Sequence, residues 1–492
     1  MTDYFGGQTN YSYDALGRLT SLTNPFGEVT TFQYDANSRL IRKNLANGTY
    51  TTYSYNSRGF LTGIYNYKSN GTLLTYATYT YDAVGNRLSM STPEGNYTYS
   101  YDAIYRLTGE VNPIGGTYSY TYDAVGNRLS MTHNGQTINY VYDAGNKLLQ
   151  AGNTTFTYDG NGNMVSKTEN GQTTTYVYNY EDKMVQVNLP NGSSIVYSYD
   201  HSGKRIAKTA GGTTIDYYFD GDDLITEAQG ANILAYYTQG QGLISQRRNN
   251  ASYFYHYDGL GSTKALTDAN QNIQSSTIYD AWGNILQVNG TITNPYLYVG
   301  ELGYYGDGDA GMYLLTQRWY NPLIGRFVVR DPSDKEENLF VYCRNNSANF
   351  VDPKGLQSGW YVFWWSCVPS PFPLATWQDL QKCLFNCARE GSFTWPPNRQ
   401  WLGCLARCYG EGKITDLVST LVCCVIEYFI RSQGGGQVIG AGPYLNACLH
   451  PGSTYGQECC QFKYCKCLVS RHPRQWWTCY TGLLWCFACA IE

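Results

Sequence analysis

Charge is scarce in this chain. Asp, Glu, Lys and Arg make up only 15% of its 492 residues, against about a quarter in ordinary globular proteins. That excludes disorder of the charged kind, a coiled coil and an Ala/Leu/Glu/Lys helical bundle. The 34 basic residues face 38 acidic ones, a net charge of −4, too mild for a nucleic-acid partner to be predicted. Cysteine is missing from the first 356 residues apart from Cys343. Residues 1–20 carry neither the basic nor the apolar region of a signal peptide. The longest apolar runs, 417–430 and 476–491, fall short of the roughly 20 residues of a membrane span and read as buried helices.

What is abundant is Tyr (49) and Gly (52), which with Thr and Val suit strands and tight turns. The average hides two compositions. Residues 1–356 hold 42 of the Tyr, with 24 basic and 31 acidic residues; residues 357–492 hold 15 of the 16 Cys and 9 of the 11 Trp, with 10 basic and 7 acidic residues. A domain boundary is expected there, within the two to four domains that the length suggests.

Self-similarity dominates the first part. A Tyr-Asp pair, a turn and an Arg-Leu-like pair recur: YDALGRL from Tyr13, YDANSRL from Tyr34, YDAVGNRL from Tyr81 and Tyr122, YDAIYRL from Tyr101, YDAGNKLL from Tyr142. Weaker copies begin at Tyr158, Tyr178 and Tyr199, and most steps are 20 or 21 residues. Tyr-x-Tyr alternation is strand periodicity, and Asp14 with Gly17 three residues on fits a type I turn. Each unit is predicted to be a hairpin of about seven-residue strands, too small to bury its own face. Stacked units make a long, curling antiparallel sheet.

Three ordered blocks then carry a resemblance. YFYHYDGLGSTKALTD (from Tyr253), YVGELGYYGDGDAGMYLLTQRWYNPLIGRFVVRDP (from Tyr298) and NLFVYCRNNSANFVDPKGL (from Asn338) resemble the core-associated segment of RHS/YD-repeat proteins. That family includes bacterial polymorphic toxins and is related to insecticidal toxin-complex C components and teneurin shells. The resemblance covers about residues 11–356. It implies a mainly β fold, a spiral of YD-repeat hairpins forming a partial or closed shell, which holds the chain's own C-terminal domain. The expected layout is repeats over 1–252, the core segment over 253–356 and a Cys-rich, largely helical effector over 357–492. The resemblance also implies an export-machinery or toxin-complex partner, an immunity protein, and a secreted or cell-surface location whose export signal lies upstream of residue 1. No cofactor or metal is expected.

The same resemblance implies that the core segment is an aspartyl protease cutting its own chain after Asp-Pro-x-Gly-Leu. Here that is Asp352-Pro-Lys-Gly-Leu356, so the expected scissile bond is Leu356–Gln357. Two carboxylates are needed, because like charges in one site split their pKa values and leave one proton to give. Arg330-Asp331-Pro332 supplies the first, with Arg330 biasing which carboxylate ionises. The second is expected at Glu337, with Asp352 the next choice; the stretch before Asn338 is short and Glu-rich, and the family's Tyr-Asp-Pro reads Tyr320-Asn321-Pro322. Read without the family, Asp331 and Asp352 simply start Asp-Pro turns. Arg326 and His256 read as structural, and His133 and His201 as turn residues.

In the tail, Cys383/Cys387 and Cys404/Cys408 form twin C-x3-C motifs. Residues four apart share a helix face, so two antiparallel helices bridged Cys383–Cys408 and Cys387–Cys404 are expected. Fifteen Cys in 136 residues is the density of a disulfide scaffold, and metal ligation near Cys459, Cys460, Cys465 and Cys467 is the alternative. Three activities stay open for this domain: catalysis through His450, Glu458 or His472, membrane contact through its Trp residues, or binding.

Overall fold

The computed structural model describes residues 1–332 and 338–356. The chain divides into two compact units, Met1–Tyr361 and Val362–Glu492, and every described residue belongs to the first. The helical tail expected over 357–492, with Cys383, Cys387, Cys404 and Cys408, lies outside the described residues.

Twenty-eight strands, from β1 (Asn10–Tyr13) to β28 (Ile285–Gly290), form one sheet in which each pairs antiparallel with the next. They run from four to nine residues, and the meander continues past residue 252 to Gly290. Among the described residues β1 and β28 do not pair with each other, so hydrogen bonds leave the sheet an open spiral. A second sheet follows: β29 (Tyr305–Asp307), β30 (Met312–Leu315), β31 (Arg318–Asn321) and β32 (Arg326–Phe327). Helix in the described residues is limited to two 3-10 turns, Gly300–Leu302 and Cys343–Asn345. The mainly β, antiparallel reading of the repeats holds.

One unit shows why the motif has its letters. Asp14 Oδ1 accepts the N–H groups of Leu16 and Arg18, both at 2.9 Å. Gly17 donates to the Asp14 carbonyl at φ +72°, a left-handed value that costs glycine little. Arg18 Nε returns to Asp14 Oδ2 at 2.7 Å, and its guanidinium lies 4.8 Å from the ring centre of Tyr34 in the next unit. The strand leaving the turn starts with a bulge, between Ser12/Tyr13 and Leu19. A bulge breaks the ladder locally and bends the strand. The next unit's tyrosine attaches there: Tyr34 donates to the Leu19 carbonyl at 2.7 Å. The same bond recurs as Tyr55 to Leu40, Tyr101 to Arg87, Tyr122 to Leu107, Tyr142 to Arg128 and Tyr199 to Met184, between 2.7 and 2.9 Å.

In most of the Tyr-Asp units the residue five after the turn Asp, or after Asn179 in its place, points into the spiral. Leu19, Leu107, Leu148, Met164 and Met184 are buried there. In three units an extra residue, Asn86, Asn127 or Lys204, precedes the Arg-Leu pair. A one-residue slip exchanges the faces of a strand, so Arg87, Arg128 and Arg205 are buried and Leu88, Leu129 and Ile206 exposed. The three arginines meet later parts of the chain. Arg87 donates to the Ala348 and Gly259 carbonyls, Arg128 lies 4.1 Å from the Trp282 ring, and Arg205 pairs with Asp307 at 3.1 Å.

Residues 296–332 and 338–351 pack on the inner face. Leu107, Tyr118 and Tyr120 pack with Trp282, Tyr298, Tyr304 and Tyr320, while Leu148, Phe156, Met164 and Met184 pack with Met312, Leu314, Trp319 and Val328. The last strands of the spiral dock on the Asn-bearing turns of the first. Asn24 donates to Thr238 at 2.9 Å, Asn47 to the Asp268 carbonyl at 2.7 Å, and Asn112 to the Tyr279 carbonyl at 3.0 Å. At that last contact the buried Glu110 accepts the Ala281 N–H at 2.9 Å. Burial, and then the Asp280 carboxylate, push Glu110 up to about 8.

Two outcomes test this packing. Tyr122→Phe removes one hydroxyl-to-bulge bond and is expected to cost about 1 kcal/mol in urea unfolding. For Glu110 the folded pKa lies above the unfolded one, so its contribution is complete below the ordinary carboxylate range and is lost as pH rises through about 8. The melting temperature should therefore fall between pH 6 and 9, and Glu110→Gln should flatten that fall.

Candidate self-cleavage site

The two aspartates expected at the site meet on one arginine. Arg318, the first residue of β31, places the same guanidinium nitrogen 2.9 Å from Asp331 Oδ2 and 3.4 Å from Asp352 Oδ2. All three side chains are buried. Arg318 also donates to the carbonyls of Gly355, through Nε, and of Leu339, and stacks 3.6 Å from the Phe327 ring centre. Charge-assisted bonds of this kind are the strong ones.

The segment Asp352–Leu356 is a capped turn. Asp352 Oδ1 accepts the Leu356 N–H at 3.1 Å, and its carbonyl accepts the Gly355 N–H at 3.1 Å. The Tyr304 hydroxyl accepts the Asp352 N–H at 2.7 Å. Gly355 has φ +64°, and a Cβ there would come within 2.8 Å of the Leu315 carbonyl oxygen, so glycine is required on both counts. Asp352 is thus both a turn cap and a partner of Arg318. Asp331 N–H donates to the Leu339 carbonyl at 2.9 Å, which ties the two ends of the 333–337 stretch. Arg330 is exposed, with its aliphatic stem against Gly162. Glu337 and Gln357 lie outside the described residues.

A strap of asparagines fixes the segment to the Asp-turn rim. Cys343, Arg344 and Asn345 have φ of 48°, 51° and 59°, a left-handed run that costs roughly 1–2 kcal/mol per residue. Compensation comes from cross-links to the rim. Asn338 donates to Asn127 at 2.7 Å, Asn345 to the Gly126 carbonyl at 2.8 Å, and Asn349 to the Tyr101 hydroxyl at 2.8 Å.

The residues read as structural are so. Arg326 is buried, donating to Asn127 at 3.0 Å and the Asn146 carbonyl at 2.7 Å. His256 is buried between Asn66 and Thr267, and burial pushes it down to about 3. His201 is in a turn, whereas His133 ends a strand and stacks on Tyr118 at 4.2 Å. Asn321 caps its own turn by accepting the Leu323 N–H at 3.0 Å. Arg318 carries no signal in the sequence, because its strand, TQRWYNP, has no acidic neighbour to mark it.

Comparison with known proteins agrees with this architecture. A family model for the teneurin YD-shell matches residues 87–351, and RHS-repeat models match 1–29, 13–43 and 34–73. The chain belongs to the teneurin YD-shell family. Among curated relatives, this YD-shell protein is 33% identical over 150 residues to the tRNA3(Ser)-specific nuclease WapA of Bacillus spizizenii, which is 28% of this chain and 6% of that one. It is 27% identical over 135 residues to double-stranded DNA deaminase toxin A of Burkholderia cenocepacia, 26% of this chain and 9% of the relative. In structure it resembles the Tc holotoxin pore of Photorhabdus luminescens, with a TM-score of 0.60 at 19% identity, over 72% of this chain and 21% of that one. The chain thus spans a small part of the relatives it matches.

Removing Arg318 leaves two carboxylates buried without their shared counter-ion. Arg318→Met is expected to destabilise the YD-shell by about 3–5 kcal/mol, read by denaturant unfolding.

Proposed function

We propose that this YD-shell protein carries an effector at residues 357–492 and frees it by cutting its own chain between Leu356 and Gln357. The observation that carries the reading is the convergence of Asp331 and Asp352 on Arg318, beside a turn whose last N–H is held by Asp352. The names of two relatives, a tRNA nuclease and a DNA deaminase toxin, support a toxin-like role for the whole protein. The effector's own activity is a separate question, and a toxin-complex or export partner and an immunity protein belong to the same proposal, as does a secreted or surface location.

The chemistry is hydrolysis. Asp331 takes a proton from water as its oxygen adds to the Leu356 carbonyl carbon; the second acid gives its proton to the Gln357 nitrogen as the C–N bond breaks. Asp352, with one oxygen on the Leu356 N–H and the other facing Arg318, positions the turn, which leaves Glu337 as the proton donor. Arg318 shares the electrostatic role expected of Arg330. No substrate affinity is required, because the tether supplies the effective concentration. One observation favours a second reading, a Cys-rich surface-binding protein on an uncut stalk: Asn321, where the family has an acid, serves only as a turn cap.

Intact-mass measurement of the purified full chain separates the two. Fragments ending at Leu356 and beginning at Gln357 are expected, and Asp331→Asn should restore one intact chain with an unchanged far-ultraviolet spectrum. A wild-type chain that stays whole supports the uncut stalk.

A further inference from the structure

We infer that Lys354 and Asp222 form a positioning clip that makes cleavage after Leu356 depend on the repeat sheet being wound. The inference rests on the reading that this bond is cut in cis. The other described hydrogen bonds of the cleavage turn come from its own segment, largely through the backbone. Thr316 Oγ1 donates to the Pro353 carbonyl at 3.4 Å and the Gln317 N–H to the Lys354 carbonyl at 3.3 Å. Arg318 and Tyr304 hold Gly355 and Asp352. All these partners lie within residues 304–356. None of these bonds ends on the repeat sheet itself.

The Lys354 side chain leaves that segment. Its Nζ lies 2.7 Å from Asp222 Oδ2, in the turn between β21 (Thr213–Asp220) and β22 (Asp223–Gln229). Asp222 Oδ1 lies 3.4 Å from Lys204 Nζ, which also donates to the Gly221 carbonyl. One carboxylate therefore joins the cleavage turn to two successive turns of the spiral. Burial raises Asp222, but the hydrogen bonds and charges of Lys354 and Lys204 together outweigh it and hold the carboxyl below its ordinary range. A second tie runs beside the first: Lys183 Nζ donates to the Gln317 carbonyl at 3.2 Å, and Gln317 Nε2 to the Ser202 carbonyl at 3.0 Å. Through these ties the cleavage turn itself is seated where turns around residues 183, 202 and 222 stand side by side. A chain still winding lacks that seat and is cut more slowly.

The pair is partly exposed, with side chains 63% and 47% accessible, so its effect on rate is modest, roughly two- to fivefold. The test is the rate at which full-length chain, made in a cell-free pulse, converts to the two fragments. Lys354→Glu and Asp222→Lys should each slow conversion by roughly that factor. The exchange K354E/D222K should return the rate to near wild type, and Lys354→Arg should match it. In an Asp331→Asn background, where no cleavage occurs, none of these changes should move the melting temperature. Wild-type conversion with Lys354→Glu equally fast, or an exchange variant as slow as the single ones, overturns this inference alone. A wild-type chain that never converts overturns the cleavage reading and this inference together.

Discussion

Most hairpins of the spiral are fastened to the next by a tyrosine hydroxyl that reaches the carbonyl at the neighbouring bulge. A lone two-stranded hairpin is marginal in water, and repeats of this kind draw their stability from nearest-neighbour contacts. Here the contact is chemically specific. The turn Asp sets the bulge, the bulge offers the carbonyl, and the Tyr preceding the next turn Asp takes it, as in Tyr34 to Leu19 and Tyr122 to Leu107. Because bulges also bend strands, the device that couples units is the one that curls the sheet. Tyr and Asp are adjacent in the motif because they serve opposite sides of one joint.

The inner face follows from the same geometry. A turn of fixed length sends the fifth residue after its Asp inward, and the chain writes Leu or Met there in most units. Inserting Asn86, Asn127 or Lys204 moves Arg to that position and Leu to the outside. A buried guanidinium must find partners or cost several kcal/mol. The partners are supplied from far along the sequence: the Ala348 carbonyl, the Trp282 ring and Asp307. These three units differ from their neighbours by one letter, and that letter fixes where the core segment attaches.

Much of this was legible beforehand. Tyr-x-Tyr alternation and the spaced Asp and Gly foretold antiparallel hairpins, and the blocks after Tyr253 foretold the family. The face flip was not read, because YDALGRL and YDAVGNRL look like one motif until the turn length is known. At the site, Asp331 and Asp352 were identified from their Asp-Pro contexts, but Arg318, which brings them together, was not. Arg18 or Arg39 can be guessed from a turn Asp four residues before; Arg318 meets its partners 13 and 34 residues later, through a fold no local pattern reports. His133, given to a turn, ends a strand, since ring stacking on Tyr118 rewards one more residue of pairing.

The position of the Leu356–Gln357 bond relative to these contacts bears on what cutting there would do. The described bonds that hold the cleavage turn, from Tyr304, Thr316, Gln317, Arg318 and Asp222, end on residues 352–356. They all fall on the shell side of Leu356. Hydrolysis after Leu356 therefore breaks none of them, and the buried Arg318 keeps both its aspartates. The new carboxylate would form on the residue after Gly355, whose carbonyl Arg318 binds. Cleavage one turn earlier would cut through the network that seats Asp352.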